Sequence, residues 1–211
     1  MKDLERRFSA GTIDTASADG KVEITGLPIV FNRTTDIGWF DEVIEEGALD
    51  GTDLTDVRLL VNHDTKMIPL ARSRRNNGNS TMQLTVTPEG LRMDATLDVE
   101  NNATSREFVS AIERGDLSGM SFMFSVKDEE WDDLDSDHPT RRIKKIESVV
   151  EVSGVTFPAY EATSINTRCK EALESARSTV ETARQQRNVE PLESDIDLDL
   201  AKAKLNFIVR Q

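Results

Sequence analysis

The sequence predicts a mainly β protein with helices, an α+β chain, and three observations lead there. Residues 57–61, 82–97, 120–126 and 143–157 carry apolar residues in strand-length runs rich in Val, Ile, Phe and Thr. Residues 103–114 instead place Phe108, Val109, Ala111 and Ile112 at helical spacing, with Glu107 and Glu113 left to water. From residue 168 the composition shifts to Ala, Glu and Arg, which favours a further helix.

Taken in order, residues 5–31 read as two strands. The first covers 6–10 and the second 22–31, with a hairpin turn at Asp19-Gly20 between them and Pro28 interrupting the regular run. Residues 39–49 mix aromatic, acidic and aliphatic side chains before Gly47, a strand edge leading into a short helix. Residues 57–64 form a clearer strand whose aliphatic run stops at Asn62-His63-Asp64. Polar residues at the end of a buried strand are where a scaffold presents chemistry. Residues 72–79 are a basic loop, and 82–87 and 91–97 form a hairpin about Pro88-Glu89-Gly90.

Gly115 ends the 103–114 helix and Gly119 adds a second flexible point. From there the period becomes two. Met120, Phe122, Phe124 and Val126 share one face, and Ser121, Met123 and Ser125 the other. By itself this pattern describes a half-buried strand whose serines face solvent. Residues 128–137 hold seven carboxylates. Asp133, Asp135 and Asp137 are spaced like part of a calcium loop, but the glycine and the closing glutamate such a loop needs are missing. The segment therefore reads as a solvated hairpin tip, and no metal ligands are assigned. Residues 143–157 make the last long strand, and beyond 168 a thin stripe of Leu173, Ala176, Val180 and Ala183 is too narrow for its own core.

Whole-chain properties bound the function. At 211 residues the chain holds one domain of ordinary size plus an appendage. With 39 acidic against 26 basic residues, a net charge of -13 argues against nucleic acid as a partner. The single cysteine, Cys169, excludes an internal disulfide and has no metal-ligand company. The N-terminal residues show charges with no apolar core behind them, so no signal peptide is expected. No apolar run approaches the roughly 18 residues of a membrane span, and no membrane partner is expected.

Three places carry candidate chemistry. Ser121 starts the central strand, His63 ends an earlier one, and Glu151 lies among Val149, Val150 and Val152 in a later one. Each has a plain structural alternative. A lone histidine is more often a satisfied structural residue than a catalyst, and Glu151 placed on an exposed sheet face would simply meet water. His138, beside the acidic tip, reads as surface. Ser-His-acid chemistry needs all three types: an imidazole to take the hydroxyl proton and an acid to orient and charge-balance the imidazole.

Asn62-His63-Asp64, Gly90-Leu91, residues 114–122 and residues 151–159, preceded by residues 40–49, resemble in order and spacing the motifs of the tailed-bacteriophage prohead (head maturation) serine proteases. The resemblance runs over roughly residues 5–165. It implies a closed, mostly antiparallel β-barrel of the herpesvirus-protease type over residues 1–167, with 168–211 a helical and acidic appendage for targeting, for a scaffold-like role or for removal by self-cleavage. By the same resemblance His63 is the general base, Ser121 the nucleophile and Glu151 the acid, with Glu147 as the fallback. It implies a serine endopeptidase that cleaves capsid and scaffold precursors, and itself, inside the assembling prohead in the host cytoplasm. No cofactor is implied, and association with further copies of itself is compatible with self-cleavage. Two positions depart from the usual pattern: Met123, where glycine is commoner, and Gly154, where an aliphatic residue is commoner. The competing expectation is a noncatalytic assembly or scaffolding protein that keeps the fold and binds capsid subunits.

Overall fold

The computed structural model describes residues 4–9, 13–18, 21–38, 40–134, 136–156, 178–182 and 184. Along the chain lie β1 (Glu5–Ser9), β2 (Ile13–Ala18), β3 (Lys21–Val30), β4 (Thr35–Asp36), β5 (Asp41–Ile44), β6 (Asp56–Val61), β7 (Ala71–Arg74), β8 (Met82–Thr87), β9 (Gly90–Leu97), α1 (Ala103–Glu113), β10 (Gly119–Asp132) and β11 (Thr140–Val155). Cys169, Trp39 and residues 157–159 lie outside the described residues.

The strands form two open sheets. One follows the order β1-β10-β11-β5-β4, with β6 pairing to β11 and β7 to β6, and the other follows β2-β3-β9-β8. This corrects the expected closed barrel: among the described residues no ladder joins the two sheets or closes either of them. The cause is the length of β11. Its 16 residues are matched by β10 on one side, while the other edge is shared end to end by two short strands, β5 against Thr140–Ile143 and β6 against Glu151–Gly154. Both run parallel to β11, so each arrives by a crossover connection rather than a hairpin, and the sheet branches.

Local sequence accounts for most elements. Asn102 caps α1, its side chain accepting from the backbone N–H groups of Thr104 and Ser105, and Gly115 beyond the helix end has a φ of 75°. The β8–β9 hairpin turns at Gly90, where a Cβ would lie 1.9 Å from the Ile29 carbonyl oxygen, so only glycine lets β3 and the turn approach. Several expectations fail. Residues 72–74 of the expected basic loop belong to β7, paired with β6, and residues 128–132 of the expected solvated tip continue β10, with Glu129 bound to Arg141. Residues 13–18 are a strand, β2, which was not anticipated because Ile13 is its one large apolar residue and it is held by backbone pairing to β3. Residues 45–51 make successive turns instead of a short helix, with Gly47 at φ 86° and Gly51 at φ 77°. Of the C-terminal segment, residues 178–182 are helical, Val180 is buried, and the Arg184 guanidinium donates to the carbonyls of Leu134 and Ser136.

Met120, Phe122 and Phe124 join Ile24, Ile29, Leu91, Met93, Leu59 and Val152 in one core to which both sheets and α1 contribute. Phe108 of α1 lies against Gly154, where a Cβ would come within 2.5 Å of the ring. Beside the core runs a buried ion network. Arg7 binds Glu42 at 2.6 Å and Glu5 at 2.5 Å, and Arg141 binds Glu5 at 2.6 Å, Glu42 at 3.0 Å and Glu129. Buried charges survive only when paired and hydrogen-bonded, so the network ties β1 to β5, β10 and β11. Burial pushes the Glu5 carboxyl up, but the hydrogen bond from Arg141 and the charges of Arg7 and Arg141 hold it below its ordinary value.

Two outcomes follow. Gly154→Ala drives a methyl into the Phe108 ring and is expected to cost about 1–3 kcal/mol, read as a lowered urea midpoint; an unchanged midpoint would show that the ring yields freely. A carboxyl depressed on folding contributes stability that is complete above its unfolded value, about 4.3, and is lost as the pH falls through the folded value. Acidification below about pH 4.3 should therefore lower the urea midpoint, and Glu5→Gln should lose less stability than the parent chain over the same interval.

Candidate active site

β6 runs out at Val61 and the chain turns through Asn62 and His63, both left-handed with φ of 49° and 59°. Two consecutive non-glycine residues in that region cost of order 1–3 kcal/mol each and persist only where the surroundings hold them. Here the end of β11 does so. The Asn62 side chain donates to Thr156 Oγ1 at 3.1 Å and accepts the Thr156 N–H at 3.0 Å, while the Asn62 N–H donates to the Gly154 carbonyl at 3.0 Å. The His63 N–H donates to Ser153 Oγ at 3.2 Å.

The other site residues come from the β10–β11 ladder. Ser121 pairs with Ser153 and Met123 with Glu151, and since alternate residues share a face, Ser121, Ser153 and Glu151 lie together on the side away from Phe122 and Val152. The His63 turn folds over that side. His63 Nδ1 lies 2.5 Å from Glu151 Oε1, and His63 Nε2 lies 2.6 Å from Ser121 Oγ. Ser153 Oγ donates to the other carboxylate oxygen, Glu151 Oε2, at 2.5 Å. Ser121 and Ser153 are 0% exposed, Glu151 1% and His63 7%. The local expectation that the strand's serines face water is thus overturned, because β10 is flanked by β1 and β11 and its second face is covered.

Proton placement follows from donor and acceptor capacity. An ionised Glu151 can only accept, so His63 carries a proton on Nδ1. With a neutral ring, Nε2 then has a lone pair for the Ser121 hydroxyl. That hydroxyl has a second acceptor, the Arg7 carbonyl of β1, at 2.6 Å. Its one proton cannot serve both: it turns to Nε2 when the ring is neutral and to Arg7 when Nε2 itself bears a proton.

The structure brings His63, Ser121 and Glu151 into one hydrogen-bonded chain. It sends Glu147 elsewhere, to within 3.4 Å of the Ser125 hydroxyl. His138 is half-exposed and pairs with Asp41 at 3.2 Å. Among the described residues, Asp36, Asp41 and His138 form a partly exposed group whose ligand atoms lie within 4.8 Å of one another, and His138 directly follows Asp137 in the chain. Sequence reasoning missed Ser153, Asn62 and the Arg7 carbonyl as parts of the site. Ser153 had a signal, since two residues from Glu151 in a strand is the same face. Asn62 had a weaker one, being a residue that tolerates the left-handed region. A backbone carbonyl has none.

A protein-family model described as caudovirus prohead serine protease matches residues 10–178. No curated protein and no solved structure matches the chain.

The strain at the turn is testable. Asn62→Gly removes the side-chain bonds to Thr156 but suits the backbone, and should cost about 1 kcal/mol or less, whereas Asn62→Ala loses both and should cost about 1–2 kcal/mol in urea unfolding. Equal costs for the two would mean that the left-handed backbone carries no strain.

Proposed function

Since the chain belongs to the caudovirus prohead serine protease family, we propose that it is a serine endopeptidase in which Ser121 is the nucleophile, His63 the general base and Glu151 the orienting acid. The family assignment carries a protease role in phage head maturation, with capsid proteins as substrates and the assembling prohead as the place of action. The finer reading is that this chain cleaves the capsid and scaffold precursors, and also itself.

What supports the assignment of roles is the unbroken contact chain Ser121 Oγ, His63 Nε2, His63 Nδ1, Glu151 Oε1, with links of 2.6 and 2.5 Å. In the reaction, Ser121 Oγ attacks the scissile carbonyl carbon as its proton passes to His63 Nε2. Glu151, already bound to Nδ1–H, stabilises the imidazolium that results. The imidazolium then gives its Nε2 proton to the leaving amine, and the acyl group stays on Ser121 until water, deprotonated by the same nitrogen, releases it. A buried histidine and carboxylate suit this work, because the low local dielectric strengthens the attraction that forms in the transition state. Residues 168–211 are assigned to bringing the enzyme to its substrates, with residues 1–167 carrying the catalytic groups. A noncatalytic scaffolding role would leave the three-residue contact chain without a use.

Co-expression with the cognate major capsid protein tests the assignment, with precursor shortening read by mass spectrometry. The parent chain should shorten the precursor, and Ser121→Ala and His63→Ala should each reduce processing by at least about a thousandfold. Processing that persists in Ser121→Ala removes the nucleophile, and a parent chain that never processes its capsid protein points to the scaffolding role.

A further inference from the structure

Beyond the three residues of the proposed triad, the site contains a buried hydroxyl group held by both partners of the histidine–acid pair. Ser153 Oγ donates to Glu151 Oε2 at 2.5 Å and accepts the His63 backbone N–H at 3.2 Å. Its side chain is 0% exposed, and it pairs in register with Ser121. A serine hydroxyl has one proton and two lone pairs, and both kinds of capacity are used here in directions that no other arrangement of the proton would satisfy. The carboxylate cannot donate, so the Ser153 proton must go to Glu151; the His63 backbone N–H cannot accept, so it must be the donor.

We propose that Ser153 is a positioning residue for the reaction, fixing the Glu151 carboxylate with one bond and the left-handed His63 turn with the other, so that Oε1 meets Nδ1 in line. This rests on the reading of Ser121, His63 and Glu151 as the reacting and orienting groups. Without the hydroxyl, Glu151 Oε2 loses the Ser153 donor and the carboxylate can rotate about its last torsion, while the His63 N–H loses its bond to Ser153 Oγ. Both changes act on the same contact. A buried serine of purely structural value would lower stability without altering the imidazole, so the imidazole is where the proposal can fail.

The test uses the full chain with histidine labelled in nitrogen-15, and two readouts. The first is the Nδ1–H proton resonance of His63, which a short bond to a carboxylate moves far downfield. The second is the pH 8 rate at which a biotinylated fluorophosphonate labels Ser121, followed by intact-protein mass spectrometry. In Ser153→Ala the resonance should move upfield and broaden, and the maximal labelling rate should fall about tenfold at an unchanged half-saturating probe concentration, the loss expected for one hydrogen bond to a charged group. Ser153→Thr keeps the hydroxyl and should recover both. A resonance and a rate unchanged in Ser153→Ala overturn the proposal. So does a rate that falls equally in the alanine and threonine variants with the resonance in place. A parent chain that resists the probe while its resonance still responds to Ser153→Ala would sink the protease reading and leave the Ser153 contact standing.

Discussion

The pairing of β10 with β11 is the constraint on which the rest of the molecule depends. From Gly119 opposite Val155 to Met123 opposite Glu151 the register runs without a shift, and irregularities begin only between Met123 and Phe124. In that regular stretch Phe122 and Val152 enter the core while Ser121, Ser153 and Glu151 turn to the other side. A slip of one residue would reverse every one of those directions. The core thus enforces the site: the free energy of burying Phe122, Phe124 and Val152 is also what keeps a hydroxyl and a carboxylate on the same face. Beyond residue 123 the ladder carries bulges, which bend the hairpin toward its acidic tip and leave the reacting end straight.

β1 joins the buried ion network to the Ser121–His63–Glu151 site. Its Arg7 guanidinium enters the network with Glu5, Glu42 and Arg141, and its Arg7 carbonyl accepts from Ser121. The side chain and the carbonyl belong to one residue, so whatever anchors the guanidinium also sets the distance from the carbonyl to the serine hydroxyl. The network costs desolvation that ion pairing only partly returns, and replacement by apolar residues would be expected to cost little stability. Its retention makes more sense as placement. Two arginines shared among three carboxylates hold an edge strand, which has only one neighbour in the sheet, at a fixed depth against β10.

Legibility in the sequence followed the range of the interactions. The helix at Ala103–Glu113, the hairpin of Met82–Thr87 with Gly90–Leu97 and the alternation that starts at Met120 are encoded within a few residues and could be read directly. The parallel pairings of β5 and β6 with β11 join segments about a hundred residues apart and have no local mark, so the sheet's branching, and with it the failure of the expected barrel, could not be foreseen from pattern. β2 was hidden because a strand held mainly by backbone bonds need not be apolar. At the site, types and order pointed to Ser121, His63 and Glu151, but burial did not follow from them. Local pattern favoured an exposed face for Glu151, and only the pairing of β6 beside β11, which brings the His63 turn onto the carboxylate, shows it buried.

Gly154 and Met123 show how packing closes around a site without altering its polar groups. Gly154 has no room for a side chain because Phe108 and Leu117 occupy the place where a Cβ would stand, within 2.5 and 2.9 Å. An aliphatic residue there would require α1 to stand further from β11, so the missing side chain and the large ring of Phe108 are complementary. Met123 sits opposite Glu151 in the ladder, on the face that carries the acid, and is itself buried. A glycine at that position would leave a gap beside the carboxylate that water could fill. The thioether instead contributes to a dry wall, and in a medium of lower dielectric the attraction between Glu151 and a protonated His63 is screened less than it would be beside water. The two positions therefore fall on either side of the Glu151–Ser153 segment, one closing the helix onto it from the core and the other closing off solvent from the opposite face.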